Sequence, residues 1–142
     1  MSDLFSVAAS GMEAQRLRMN LIASNLANVE TTRTANGGAY RRKDIVFAAH
    51  SRSDFGGLLK EASSAYNTGV KVAGIVEDAR PLKHVYDPAH PDAGRDGYVA
   101  YPNVNVAEEM VNMIAASRSY EANVSAFKAT REMALKALEL GQ

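Results

Sequence analysis

The residues best equipped for chemistry lie in "HVYDPAHPD", where His84, Asp87, His90 and Asp92 bring imidazoles and carboxylates close together. Such groups ligate zinc or iron, and a small metalloenzyme using His84 and His90 would be their natural product. Persuasive metal motifs, however, fix ligands at i and i+4 on a helix, whereas this run is interrupted by Pro88 and Pro91. A solvated turn is expected instead. The run Arg41 to Lys43, "RRK", has the charge to meet phosphate, but Asp44 follows it and no aromatic stacking platform surrounds it. It reads as a solvated face or as a salt bridge to a neighbouring subunit. Asn25 and Asn28 offer amides to a small molecule, yet their place at the end of a helical pattern favours capping and hydrogen bonds between subunits. There is no glycine-rich phosphate loop, no nucleophile with a base at suggestive spacing, and no cysteine. The expectation is no catalytic residue, no cofactor and no metal.

The chain that must position these groups has 142 residues, room for one folding unit with a core of its own. Sixteen basic and sixteen acidic side chains cancel to a net charge of +0 and are spread evenly, so neither a phosphate-binding face nor an acidic tail stands out. Nucleic acid is not expected as a partner. Without cysteine, disulfides and thiolate chemistry are excluded, and the redox compartment stays open. The opening "MSDLFSVAAS" lacks the basic and unbroken apolar regions of a cleaved secretory signal, and no apolar run approaches the ~18 residues of a membrane span. A soluble chain, not inserted in a membrane and not carried by the general secretory route, is expected.

Three zones follow from the breakers. From Ser2 to about Val29 helix formers dominate without proline. All four prolines, and every glycine except Gly11 and Gly141, lie between about Glu30 and Pro102. Asn103 to Leu140 is again free of both. The middle zone holds alternating runs, "GVKVAGIVED" and "GYVAY", between turn signals such as "NGG", "DFGG" and "DPAHPDAGRDG". The fold class expected is mainly α, with residues 1–30 and 103–142 forming a discontinuous helical coiled-coil core and residues 31–102 a β-rich or extended insert.

Spacings of alternately three and four residues mark a seam on each terminal helix. The first runs through Met1, Phe5, Ala8, Met12, Gln15, Met19, Ile22, Leu26 and Val29; the second through Val106, Met110, Met113, Ser117, Tyr120, Val124, Phe127, Arg131, Ala134 and Leu138. A lone amphipathic helix would turn a charged back to water. Here the backs are apolar or small: Val7, Ser10, Ala14, Leu17, Leu21 and Ser24 on the first, Ala115, Ala122, Ala126, Ala129 and Met133 on the last. So short a chain has too few helices to cover both faces, and the remaining cover is expected from other subunits. Gly11 costs about 1 kcal/mol relative to alanine inside a helix and calls for the close approach of a neighbouring helix. For the last helix, Asn105 reads as the N-cap, Glu108 as a carboxylate reaching back to it, Glu109 as added negative charge in the first turn, and Gly141 as the end.

With these residues in view, "SGMEAQRLRMNLIASNLANVETTRT" resembles the N-terminal signature of the bacterial flagellar axial proteins, the rod and hook family, with Ser10, Gly11, Asn25, Leu26, Ala27, Asn28 and Thr31 at matching places. "GGAYRRKDIVF" and the region from "GYVAYPNVNVAEEMVNM" to the end are similar to a rod member, so the resemblance covers nearly the whole chain. "TTRTANGGAY" departs from it, because relatives usually have a shorter Thr-x-Gly turn there. The resemblance implies a non-enzymatic structural subunit that polymerises with itself and other rod proteins in a helical assembly, the proximal rod, a driveshaft transmitting motor torque through the basal body. It implies passage, unfolded and uncleaved, through the flagellar type III export apparatus. It also implies that the terminal helices form an inner coiled-coil layer. The subunit-interface residues expected on this reading are Phe5, Gly11, Met12, Met19, Ile22, Asn25, Leu26, Asn28, Met110, Met113, Tyr120, Val124, Phe127 and Leu138. A competing reading is a soluble helical chaperone that buries a client helix between its seams.

Overall fold

The structure, a computed structural model, describes residues 2–49 and 69–140; the "DFGG" turn and Gly141 lie outside the described residues. Two long helices enclose short strands in sequence: α1 Ser2–Ala27, β1 Lys43–Ala49, β2 Val70–Glu77, β3 Lys83–Tyr86, β4 Tyr98–Tyr101 and α2 Val106–Glu139. The chain is therefore mainly α with a small β middle. At ~1.5 Å per residue the helices run about 39 and 51 Å.

Both helices start or stop where side chains take over from the backbone ladder. α1 ends two residues before the expected Val29. The Asn28 amide donates to the Ser24 carbonyl (2.9 Å) and its Oδ1 accepts from the Thr31 hydroxyl (3.1 Å), which is the capping anticipated for Asn28. At α2, Asn105 Oδ1 accepts from the backbone of Ala107 (3.0 Å) and Glu108 (3.4 Å), an N-cap as expected. Glu108 does not reach back to complete a capping box; Arg80 takes its carboxylate instead (3.2 Å).

The runs "GVKVAGIVED" and "GYVAY" supply β2 and β4. β1 pairs with β2, and β3 pairs antiparallel with β4, setting Lys83 opposite Tyr101 and Tyr86 opposite Tyr98. His84 thus belongs to a strand and not to a turn. The "NGG" signal is a turn in which Gly37 (φ 81°) and Gly38 (φ 77°) hold left-handed backbone that a Cβ would strain.

The chain divides into two compact units, one of residues 1–17, 46–74 and 116–142, the other of residues 18–45 and 75–115, so each holds part of α1 and part of α2. In the first unit, Ala8, Ala14 and Ala116 are buried, and the Phe5 and Phe127 rings meet edge to face, with centroids 5.1 Å apart. In the second, Ile22, Tyr40, Val99 and Val104 are buried, each aliphatic side chain contributing about 1.5–3 kcal/mol.

Candidate functional site

The second unit is built around charge. Glu109, in the first turn of α2, is 0% exposed, and Asn25, near the end of α1, is 1% exposed. Glu109 Oε1 accepts from Arg42 Nε at 2.7 Å and Oε2 from Asn25 Nδ2 at 3.0 Å. Asn25 is used completely: its amide also donates to the Lys43 carbonyl (2.8 Å), while Oδ1 accepts from the Tyr40 hydroxyl (2.9 Å) and the Lys43 backbone (3.0 Å). One side chain of α1 therefore fixes the entry of β1 as a strand partner would. Arg42 continues outward to Asp44 (3.0 Å) and Asp78 (3.4 Å). Its own backbone donates to Asn103 Oδ1 (2.8 Å) and accepts from the Asp78 amide (2.8 Å). Asn103 in turn donates to the Arg80 carbonyl at 2.9 Å.

The electrostatics follow from these contacts. Burial alone would lower the Arg42 pKa, but the hydrogen bonds it donates to Glu109 and Asp44, with the charges of both, outweigh that and hold the guanidinium above its ordinary value. Burial would likewise raise Asp44, yet the Arg42 hydrogen bond, the Ile45 amide and the Arg42 and Arg18 charges keep its carboxyl below the usual range. Asp78 is lowered by the Arg80 side chain and backbone, and Arg80 is raised in return by Asp78 and Glu108. An open cleft of about 320 Å³ beside the cluster includes Arg18, Lys43, Arg80, Asp44, Asp78 and Glu108 in its lining. Four cations, Arg42 among them, face three carboxylates in it, and among the described residues it holds no pair of nucleophile and base. The arrangement is a structural clamp.

Two expectations are corrected here. Arg42 is neither on a solvated face nor free to bridge to another subunit, because three carboxylates of its own chain converge on it; Arg41 is the exposed member of the run. Asn25, expected at a subunit interface, has its hydrogen-bonding capacity filled inside the chain. Sequence reading also assigned Glu109 only a dipole role. Nothing local marks its burial, since Val106 and Met110 beside it on α2 are themselves exposed.

The His84, Asp87, His90 and Asp92 side chains go separate ways. His84 is exposed on β3 and Asp87 accepts from the Ala89 amide (3.2 Å). His90 Nδ1 accepts from the Asp92 amide (3.1 Å), and the Asp92 carboxylate takes the Thr32 hydroxyl (2.8 Å), with Arg33 at 3.7 Å. The loop from "TTRTANGGAY" thereby finds its partner in Asp92.

The remaining interface residues sort by exposure. Ile22 is buried, while Phe5, Met12, Met19, Leu26, Met113, Tyr120, Val124 and Phe127 are half-buried. Gly11 is indeed closely approached, and by its own chain: a Cβ there would stand 2.9 Å from Asn123 Nδ2. The α1 back is partly covered from within as well, since Ala14 is 3% exposed and Ser10 Oγ accepts from the Val70 amide (3.1 Å). The α2 back stays open. Ala115, Ala122, Ala126, Ala129 and Met133 (58%) are exposed, as are Val111 (66%) and Ile114 (58%) beside it and three residues of the expected seam, Val106 (45%), Met110 (56%) and Leu138 (71%). Among the described residues no helix is long and apolar enough to cross a membrane.

Comparison with known proteins identifies both ends of the chain. The family model described as "Flagella basal body rod protein" matches residues 5–33, and that described as "Flagellar basal body rod FlgEFG protein C-terminal" matches residues 95–140. The flagellar basal-body rod protein FlgC of Borreliella burgdorferi is 45% identical over 144 residues, covering 96% of this chain and 95% of its own. Its namesake in Bacillus subtilis is 46% identical over 143 residues, with 96% and 95% covered, and that of Escherichia coli O6:H1 is 43% identical over 140 residues, with 99% and 97% covered. With such identity over nearly its whole length, the chain belongs to the FlgC family of flagellar basal-body rod proteins.

Proposed function

We infer that the chain is a structural subunit of the bacterial flagellar basal-body rod, and that it polymerises with itself and with other rod proteins into the proximal part of that driveshaft, transmitting motor torque. It performs no catalysis and holds no cofactor. The observation that carries this reading is the set of large apolar side chains left open on α2, with Val111 and Ile114 more than half exposed on one unit and Met133 on the other. Exposed apolar groups of this size on a helix are covered by protein in the working state. The terminal segments 1–30 and 103–142 form the inner helical part, paired as a coiled coil along the two seams, and residues 31–102 form the outer part. The Phe5–Phe127 ring contact and the seating of Asn123 against Gly11 support such pairing. The subunit reaches its site through the flagellar type III export apparatus.

Ile114→Asp tests the reading, because a charge on an exposed position leaves the fold intact and spoils a buried contact between subunits. Cells carrying it are expected to export the subunit normally, measured as protein released from cells without a completed rod, yet to build no rod and not to swim. Normal swimming with Ile114→Asp and a matching Val111→Asp would overturn the assignment of this face.

A further inference from the structure

The turn between α1 and β1 sets Asn36 before Gly37. Of the asparagines in the chain, Asn36 alone precedes glycine; the others precede leucine, valine, methionine or threonine. Asn36 is exposed, and no described residue hydrogen-bonds to its side-chain amide. Gly37 has φ 81° and no heavy atom within 4 Å of where a Cβ would stand, so the peptide nitrogen that follows Asn36 is open on its side-chain face. One restraint is visible, a hydrogen bond from Gly37 N to the Thr34 carbonyl (3.0 Å) in a turn otherwise closed by Thr34 N to the Gly38 carbonyl (2.9 Å).

We propose that Asn36 is a site of spontaneous deamidation. The Gly37 nitrogen, once deprotonated, attacks Asn36 Cγ. The N–Cγ bond forms as the bond to the side-chain nitrogen breaks, and ammonia leaves, giving a five-membered succinimide. Water then opens the ring at either carbonyl to yield aspartate or isoaspartate. Amide plus water becomes acid plus ammonia, with no change of oxidation state. The product adds one anion to a chain whose sixteen acidic and sixteen basic groups otherwise balance, in the loop that holds Asp92 through Thr32 and Arg33.

Purified full-length chain is held at 37 °C at pH 6, 7 and 8, folded and in urea, then digested and mapped by mass spectrometry with an isoaspartate-specific label. The residue 36 peptide is expected to gain about one dalton faster than any other asparagine peptide. Its rate is expected to rise roughly tenfold per pH unit, because the nucleophile is weak until deprotonated. Asn36→Gln, whose ring closure is less favourable, should abolish the change at that peptide. Folded chain is expected to react within about tenfold of the urea-unfolded chain, since the Thr34 bond is a single exposed hydrogen bond. A folded rate more than about a hundredfold below the unfolded rate, or conversion at residue 36 no faster than elsewhere, would overturn the proposal.

Discussion

Replacing Asn25 by aspartate changes one atom of the buried clamp and reverses its chemistry. The amide donates to Glu109 Oε2 at 3.0 Å and to the Lys43 carbonyl at 2.8 Å, and an ionised carboxylate can donate to neither. Two carboxylates at that separation cannot both stay charged inside the fold, so the new group takes up a proton. Holding a group of reference pKa about 3.9 protonated at pH 7 costs about 4 kcal/mol at 1.36 kcal/mol per unit. One hydroxyl then replaces two N–H donors, which adds about 1 kcal/mol or more for the acceptor left over. The sum is about 5 kcal/mol at pH 7, falling to roughly 2.5 kcal/mol at pH 5, against a typical domain stability of 5–15 kcal/mol. The sign is fixed by proton uptake. The folded variant binds a proton that the unfolded chain has released, so its stability falls as pH rises, by about 1.4 kcal/mol per unit. Urea unfolding at pH 5, 6 and 7, followed by tyrosine emission, reads this directly, because Tyr40, Tyr86, Tyr98 and Tyr101 all belong to the unit concerned. Asn25→Ala should cost about 1–3 kcal/mol independently of pH. A cost for Asn25→Asp below about 1 kcal/mol, or one that does not grow with pH, would refute the reasoning.

Other perturbations follow from the same contacts. The lowered pKa values of Asp44 and Asp78 mean that their stabilising contribution is complete above about pH 4 and is lost as pH falls through the folded values, so urea midpoints should drop between pH 4 and pH 2 and should drop less in an Asp78→Asn variant. Gly11→Leu drives carbon into the Asn123 side chain, which already stands 2.9 Å from a Cβ position, and should speed amide exchange in the first turns of α1; adding Asn123→Ala should restore protection, and unchanged exchange in the single variant would argue against the close approach. Gln15 Oε1 is buried without a hydrogen-bond partner among the described residues, so Gln15→Met should raise the urea midpoint by removing a cost of about 1–3 kcal/mol, and a lowered midpoint would count against that assignment.

What the sequence conveyed and what it withheld have a common physical origin. Helix signals are local: the proline-free terminal zones, the Asn105 cap and the Asn28 end all act within a few residues, and each was legible. Alternation exposed β2 and β4 for the same reason. β3 escaped notice because all four of its residues are exposed, leaving no inside and outside to alternate. β1 begins at Lys43, inside a basic run that resembled a solvated face. The clamp was hidden more deeply, since Asn25 and Glu109 are 84 residues apart and neither has a local partner that would announce burial. The apolar back of α2 was legible as a surplus of hydrophobic faces. That Ser10 of α1 would accept from the backbone at the start of β2 was not, because such a contact leaves no periodic mark on either element.

Rod assembly turns on what covers the open face of α2 in the assembled organelle. A density map of intact basal bodies, resolving side chains and taken from cells whose rod contains this chain, would show it. Val111, Ile114 and Met133 are predicted to lie against neighbouring subunits, with the Arg42–Glu109–Asn25 clamp intact inside each one. A rod in which these three residues face solvent, or in which this chain has no density, would contradict the account.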